Sequence, residues 1–351
     1  MTRATCHRLG LLVATTAAAV YLVAATVDAQ RAAAGGAGSW QVARTEWGDP
    51  DLTGVWPAND MQGTSLERAP ELGTRNVLND SEFALRQDLS RRQAEADAET
   101  VVVQRRPGTG PPSHWGERGQ PQRQASLIVD PPDGRLPAMT PEGERRARAM
   151  RSTYYYDFPT AIEAHPFEQF TDLGPYDRCI SRGVFASMLP TGYNMGTQIF
   201  QAPGQVIIHN EMIHETRIIP LDGRPHIDAR IRSYMGDSRG HWDGVTLVVE
   251  TTNTNGKVGL TRNGNTTPTS DRLRIVERFT RTADDTLQYE ATVEDPVIWT
   301  RPWKVSLPFR LQPDYGMFEY ACHEGNYGMR NILSGARAEE QRGGASIPPA
   351  R

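Results

Sequence analysis

The chain has 351 residues and a formal net charge of −4 at pH 7, and it contains 32 glycines and 25 prolines. Because charges of both signs are interspersed, the composition excludes the basic surface that nucleic-acid binding needs. The chain also has no βαβ alternation, no GxGxxG motif and no phosphate loop, which argues against a nucleotide-binding fold. The frequent helix-breaking residues favour short strands and loops over a helical bundle.

The N-terminus has the pattern of a secretory signal peptide over residues 1–29. Arg3 and Arg8 precede a mostly apolar run from Leu9 to Ala25, and Val27-Asp28-Ala29 is a small-residue cleavage site. An uncleaved anchor is the alternative, although the apolar run is short for a membrane span. We therefore predict a periplasmic or secreted protein without membrane insertion after cleavage. We also predict a flexible lead-in over 30–47 and a flexible tail over 338–351.

The cysteines indicate one disulfide. Cys6 leaves with the predicted signal peptide, so that Cys179 and Cys322 remain. Two cysteines in an exported chain most simply pair with each other, because the compartments outside the cytoplasm are oxidising. The alternative is a reactive or metal-binding thiol.

Two helices are predicted in an insertion over about 80–156. The first covers Ser81 to Asp97 with Ser81 as its N-cap, and the second starts after Thr140 and runs to about Tyr155. Thr140 is followed by Pro141, which suits the first position of a helix.

The C-terminal half is rich in strand patterns separated by turn residues. The strand-like segments are Thr197–Gln201, Gln205–Glu211, Met212–Leu221, Val245–Thr252, Leu273–Thr280, Thr286–Val293 and Trp303–Leu311, and a further short strand is expected over Leu52–Trp56. Turn signals such as Pro203-Gly204 and Asp243-Gly244 lie between them. We predict a mainly β, antiparallel, barrel-like domain over 48–337, with N-terminal helices and long loops packed against it.

Alternation along these strands indicates one buried face. Leu287, Tyr289, Ala291 and Val293 share one side of their strand, and polar residues share the other. The segment 212–221 departs from this pattern, because Glu215 and Arg217 lie on the same side as Ile213 and Ile219. Either the two charged residues pair on a solvated face, or this face lines a polar cavity.

Several distinctive segments give the chain a resemblance to a large group of uncharacterised exported bacterial proteins. They are DLTGVW (51–56), SLIVDPPDGRLPAMTPEG (126–143), EMIHETRIIPLDGRPH (211–226), MGDSRGHWDGVTLVVETTN (235–253), EDPVIWTRPW (294–303) and EYACHEGNYGM (319–329). The resemblance covers about 48–337 and implies no activity. Gly54-Val55-Trp56 also resembles the Gly-x-Trp of lipocalin-type barrels, which implies a barrel with a ligand cavity. Pro57 and the helices after this strand depart from that pattern.

Histidines and carboxylates supply the candidate chemistry. His209, His214, His226 and His323, with Glu215 or Glu324, are suitable ligands for a divalent metal, but no ligand-spacing motif is present. We therefore assign no cofactor and keep a divalent metal as the alternative.

We predict instead a metal-free site in which histidines and a carboxylate exchange protons. The predicted catalytic residues are His214, His226, His323, Glu324 and Arg217, with Arg217 stabilising a developing oxyanion. A disulfide at Cys322 would fix the backbone of the neighbouring His323 and Glu324. The alternative is that these two residues only stitch the C-terminal segment to the domain by hydrogen bonds.

The predicted substrate-binding residues are Asp237, Trp299, Arg301, Trp303 and Tyr327. For the segment 236–244 the alternative is a long turn, and for the tryptophans it is packing at the start of a strand. The predicted function is an exported lyase, isomerase or hydrolase that acts on a small organic molecule in a barrel-mouth pocket. The alternative is a non-catalytic periplasmic binding protein or an accessory subunit with a protein partner.

Overall fold

The computed structural model describes residues 40–98, 115–150 and 167–342. The predicted signal peptide, most of the predicted lead-in and the end of the predicted tail lie outside these ranges. The described residues from Val42 onward belong to one compact unit. Among the described residues, no helix has the length and apolar character needed to cross a membrane.

The strands form two antiparallel sheets. The four-stranded sheet has the order β1-β3-β4-β5, and its strands are β1 (Gly54–Val55), β3 (Thr197–Ala202), β4 (Gln205–Asn210) and β5 (Thr216–Pro220). The six-stranded sheet has the order β2-β10-β9-β8-β7-β6. Its strands are β2 (Ile128–Asp130), β6 (Asp237–Asp243), β7 (Thr246–Thr252), β8 (Arg274–Ala283), β9 (Thr286–Glu294) and β10 (Trp303–Arg310). The mainly β, antiparallel prediction is confirmed. The described strands do not close into one barrel, so the lipocalin-like barrel is not confirmed.

The helices are short or peripheral: α1 (Asp80–Ala98), α2 (Pro141–Ala149), α3 (Val184–Met188) and α4 (Gly328–Gln341). Thr140 caps α2 as predicted, since its hydroxyl accepts from the Gly143 N–H at 3.0 Å. Ser81 does not cap α1. The cap is Asn79, whose side chain accepts from the Glu82 N–H at 2.9 Å.

The inner faces of the two sheets enclose the apolar core. The predicted alternation of β9 is confirmed, because Leu287, Tyr289, Ala291 and Val293 are all fully buried. Trp299 and Trp303 also lie in this core, with ring centroids 6.0 Å apart, rather than at a surface.

The segment 236–244, for which a turn was the alternative, instead contains strand β6. Two of its inward residues, Ser238 and Gly240, are small, and this hid the strand in the sequence. A Cβ on Gly240 would lie 2.7 Å from Leu221 and 2.8 Å from Ile219. Glycine therefore permits the close approach of β6 to the end of β5.

The segment 212–221 is not one strand. Met212–His214 forms a single 3₁₀ turn, and β5 begins at Thr216. Neither alternative for Arg217 is correct. Its guanidinium pairs with Glu277 of β8 across the core, through contacts of 2.5 and 3.0 Å, and both side chains are buried. Arg217 therefore joins the two sheets.

Candidate functional site

The turn between β4 and β5 has non-glycine residues with positive φ, as does the segment with Arg262, Asn263 and Thr267. Ile213 and His214 have φ of 64° and 47°, and Asn194, which contacts Glu211 of this turn, has φ of 49°. A β-branched residue such as isoleucine rarely adopts positive φ, because its side chain clashes with the backbone. Backbone strain of this kind clusters at functional sites, which makes this turn a candidate.

Glu211 is a buried carboxylate at the start of the turn, with 1% of its surface exposed. It accepts hydrogen bonds from the Asn194 side chain at 2.8 Å, the Phe318 N–H at 3.2 Å and the Gly196 N–H at 3.3 Å. The hydroxyl of Tyr315 lies 2.7 Å from its Oε2 atom. These donors compensate for the loss of water around the carboxylate.

A second carboxylate shares the same hydroxyl. Glu117 Oε2 lies 2.8 Å from the Tyr315 hydroxyl, and Glu117 also accepts from the N–H groups of Asn194 at 2.6 Å and Met195 at 3.2 Å. A phenol has only one proton to donate, so it cannot make a full hydrogen bond to both carboxylates. A proton added to either carboxyl group would find the phenolic oxygen as its acceptor. We call Glu117, Tyr315 and Glu211 the Glu–Tyr–Glu cluster.

The environment of Tyr315 keeps its phenol protonated. Burial raises the pKa of Tyr315, and the hydrogen bonds to Glu211 and Glu117 raise it further. The hydroxyl is therefore a fixed link between the two carboxylates rather than a group that ionises.

The local sequence permits this close packing through glycine. A Cβ on Gly196 would lie 2.7 Å from Glu211 Oε2 and 2.8 Å from the Tyr315 ring. Any other residue would therefore displace the cluster.

The cluster opens on one side to a cleft of about 660 Å³. The lining residues are Glu117, Leu311, Gln312, Pro313, Asp314, Tyr315, Gly316 and Phe318. Phe318 offers an apolar surface, because the residue is 71% exposed. Glu117 and Tyr315 face the cleft, whereas Glu211 is not among the lining residues. A ligand in the cleft would meet Glu117 first, and Tyr315 would connect it to Glu211.

Glu215 ends the same turn and is also mostly buried. Burial raises the pKa of Glu215, although hydrogen bonds from Ser181 and the Arg182 N–H and the charge of Arg217 work in the opposite direction. The Arg182 N–H lies 3.0 Å from Glu215 Oε2.

The predicted residue His214 lies on this turn. Its side chain is exposed, and its Nδ1 atom lies 2.9 Å from the Tyr320 carbonyl oxygen. This contact joins the EMIHE and EYACHE segments. His323 and Glu324 lie on the second segment, Tyr327 follows it, and all three residues are exposed.

Cys179 and Cys322 form the predicted disulfide, with their Cα atoms 5.5 Å apart. The bond ties the EYACHE segment to the stretch before α3. A disulfide of this kind is typical of oxidising compartments.

The predicted residues His226 and Asp237 are in contact, but on the outer face of the six-stranded sheet. His226 Nδ1 lies 2.7 Å from Asp237, and its Nε2 atom lies 3.2 Å from Glu250. Only a doubly protonated ring donates to both carboxylates. Burial tends to raise the pKa of Asp237, but hydrogen bonds from Arg239 and His226 outweigh this effect and hold it below its usual value.

The predicted catalytic set is therefore divided among the turn, the EYACHE segment, the outer sheet face and the core, where Arg217 lies. Arg301, predicted to bind substrate, pairs with Asp130 at the surface at 2.8 Å. Within the described residues, no three His, Cys, Asp or Glu side chains are grouped as a metal site would require. Comparisons with protein-family models, curated proteins and solved structures gave no match.

Sequence reasoning missed all three members of the cluster. Glu117 lies in a Pro-, Gly- and Arg-rich stretch, and Tyr315 lies in a loop after β10, so neither has a motif around it. Glu211 begins the distinctive segment EMIHE, and the predicted residue His214 in that segment was the signal that pointed to this turn, although Glu211 itself was not predicted.

Proposed function

We propose that the protein binds a small organic molecule in the cleft and acts on it by general acid–base chemistry, in an oxidising compartment outside the cytoplasm. The observation that carries the proposal is that two carboxylates share one phenolic hydroxyl at the wall of a cleft. A carboxylate within reach of a substrate is a suitable general base, and a neighbouring acceptor stabilises the proton it takes up.

The three residues have distinct roles in this proposal. Glu117 lines the cleft and removes a proton from the ligand. Tyr315 then donates its hydroxyl proton to Glu211 as it accepts the new proton from Glu117. One negative charge is thereby moved from Glu211 to the ligand, and the reverse transfer returns the proton to the product. Phe318 contributes an apolar surface for the ligand.

The test uses 5-nitrobenzisoxazole, a probe whose ring opens when a base removes its C–H proton. The N–O bond breaks, and a coloured nitrophenolate is released. We expect the full-length protein to accelerate this elimination and Glu117→Gln to lower the rate by ~10²-fold or more. Glutamine keeps the shape of the side chain and its acceptor for the Asn194 N–H.

Glu290→Gln is the matched control, because Glu290 pairs with Lys304 on the outer face of β9. The control should keep the wild-type rate. Equal rates for Glu117→Gln and wild type would overturn the assignment of Glu117 as the base.

Ligand binding without catalysis is the second candidate function. This function is favoured because main-chain N–H groups donate hydrogen bonds to the two carboxylates, and the carboxylates then hold the loops around the cleft together. The donors are the N–H groups of Asn194, Met195, Gly196 and Phe318. If small aromatic compounds bind both wild type and Glu117→Gln, as seen by chemical-shift changes at Phe318, and neither turns over the probe, this second function is supported.

A further inference from the structure

The segment 312–327, which carries Tyr315 and Phe318, has an unusual lack of apolar anchoring. None of residues 312–335 is buried, although the structure describes all of them. Apolar burial is the main source of local stability, and segments without it open easily. The segment needs other contacts to stay in place.

Those contacts are mainly polar, and they include the Gln312 N–H to the Val55 carbonyl at 3.0 Å and the hydroxyls of Tyr176 and Tyr320 at 3.3 Å. Gln312 bonds to Asn59 at 3.0 Å, Tyr315 and Phe318 bond to the carboxylates described above, and the Tyr320 carbonyl contacts His214. The disulfide from Cys322 to Cys179 is the one covalent link near the end of the segment.

We propose that this disulfide is a redox-controlled latch of the cleft. Reduction by a small dithiol releases the segment 312–327 and dismantles the Glu–Tyr–Glu cluster, while the two sheets stay folded. The sheets do not depend on the segment, since none of its side chains belongs to the core. This proposal concerns whether the cluster stays assembled. It is tested separately from the proposed acid–base chemistry, so that either proposal can be refuted without the other.

The surroundings of the two sulfurs favour one direction of attack. Cys179 is 7% exposed, whereas Cys322 is half-buried between the exposed residues Ala321 and His323. Asn326 donates from Nδ2 to Cys179 Sγ at 3.2 Å. A hydrogen-bond donor stabilises a sulfur that departs as thiolate, so attack at Cys322 with departure of Cys179 is favoured.

The exchange proceeds in two displacements. A thiolate of the dithiol attacks Cys322 Sγ, the protein S–S bond breaks, and Cys179 leaves as thiolate and takes up a proton. The second thiol of the reagent then displaces Cys322 and closes a cyclic disulfide. The two cysteines gain two electrons and two protons, and the dithiol is oxidised.

Hydrogen exchange followed by mass spectrometry tests the latch in the full chain. A Cys6→Ser background prevents disulfide reshuffling with the third cysteine. On addition of dithiothreitol, we expect exchange in peptides covering 312–327 to rise by about tenfold or more, and peptides from β8 and β9 to keep their protection. A Cys179→Ser/Cys322→Ser variant should show the same pattern without reductant.

Unchanged exchange over 312–327 after reduction would overturn the latch, and so would loss of protection in β8 and β9. The rate of reduction supplies a second readout. Asn326→Ala removes the donor to Cys179 and should slow reduction several-fold. An equal or faster rate in this variant would overturn the assignment of Cys179 as the departing sulfur.

Discussion

At the residue scale, the β4–β5 turn holds His214 in a left-handed conformation with φ of 47°. A residue with a Cβ atom pays roughly 1–2 kcal/mol for this conformation, and glycine avoids most of that strain. We predict that His214→Gly is more stable than His214→Ala by about 1 kcal/mol. Both variants lose the contact with the Tyr320 carbonyl, so the difference reports the backbone alone. Urea unfolding of the two variants measures it, and equal stabilities would contradict the strained turn.

Glu215 makes the stability of the same turn depend on pH. Because burial raises the pKa of Glu215, the folded protein binds this proton more tightly than the unfolded chain does. The resulting penalty is absent below the ordinary pKa of 4.5 and grows as the pH rises through the raised value. We predict that Glu215→Gln and wild type have similar free energies of unfolding at low pH, and that the variant is the more stable at neutral pH. A difference that stays constant with pH would contradict this.

The members of the Glu–Tyr–Glu cluster show why single residues are hard to assign from sequence. Glu117 and Tyr315 come from irregular segments that are far apart in the chain, and their meeting depends on how the loops pack. Two of the predicted residues, His226 and Asp237, do meet, since the loop before β6 places them on one face of the sheet. The sequence did not indicate that Arg217 pairs with Glu277 inside the core, because the two residues lie on different strands that are far apart in the chain.

At the element scale, β5 and β8 are joined by the buried pair of Arg217 and Glu277. Tyr289 of β9 donates to Glu277 at 3.0 Å, so both oxygens of this carboxylate have partners. The favourable charge of Glu277 outweighs burial and raises the pKa of Arg217. Such a pair is costly to break, because the remaining charge has no water around it.

We predict that Glu277→Leu lowers the free energy of unfolding by about 3–5 kcal/mol, because it leaves Arg217 buried and unpaired. The double variant Arg217→Met/Glu277→Leu should recover most of this loss. Tyr289→Phe, which removes only one hydrogen bond, should lower it by about 1 kcal/mol. Denaturant unfolding measures all three. If the double variant were as unstable as Glu277→Leu, the loss would not come from an unpaired Arg217. The ion pair itself would then stabilise the fold, contrary to the prediction.

Strands with strict alternation were predictable from sequence, whereas β6 and the 3₁₀ turn at 212–214 were not. β8 and β9 follow the period of two because one face packs on the core and the other is solvated. β6 was missed because Ser238 and Gly240 occupy two of its inward positions, and at Gly240 the end of β5 leaves no room for a larger residue. The sequence did not predict the 3₁₀ turn at 212–214, because Ile213 is a residue that favours strands.

At the scale of the whole molecule, the site is assembled from separate parts of the chain. Glu117 comes from the loop before β2, Asn194 from the stretch after α3, Glu211 from the end of β4, and Tyr315 from the segment after β10. Of these four residues, only Glu211 directly follows a strand of either sheet. The disulfide compensates by holding the C-terminal segment near the turn.

The proton transfer from Glu117 through Tyr315 to Glu211 is tested most directly at Glu211, which is buried and does not line the cleft. We predict that Glu211→Gln lowers the elimination rate of 5-nitrobenzisoxazole by about tenfold or more, although this residue does not touch the probe. Tyr315→Phe should do the same, and circular dichroism verifies that both variants are folded. If folded Glu211→Gln and Tyr315→Phe kept the wild-type rate, the proposed proton transfer from Glu117 through Tyr315 to Glu211 would be contradicted. Glu117 could then act only as a base without this relay.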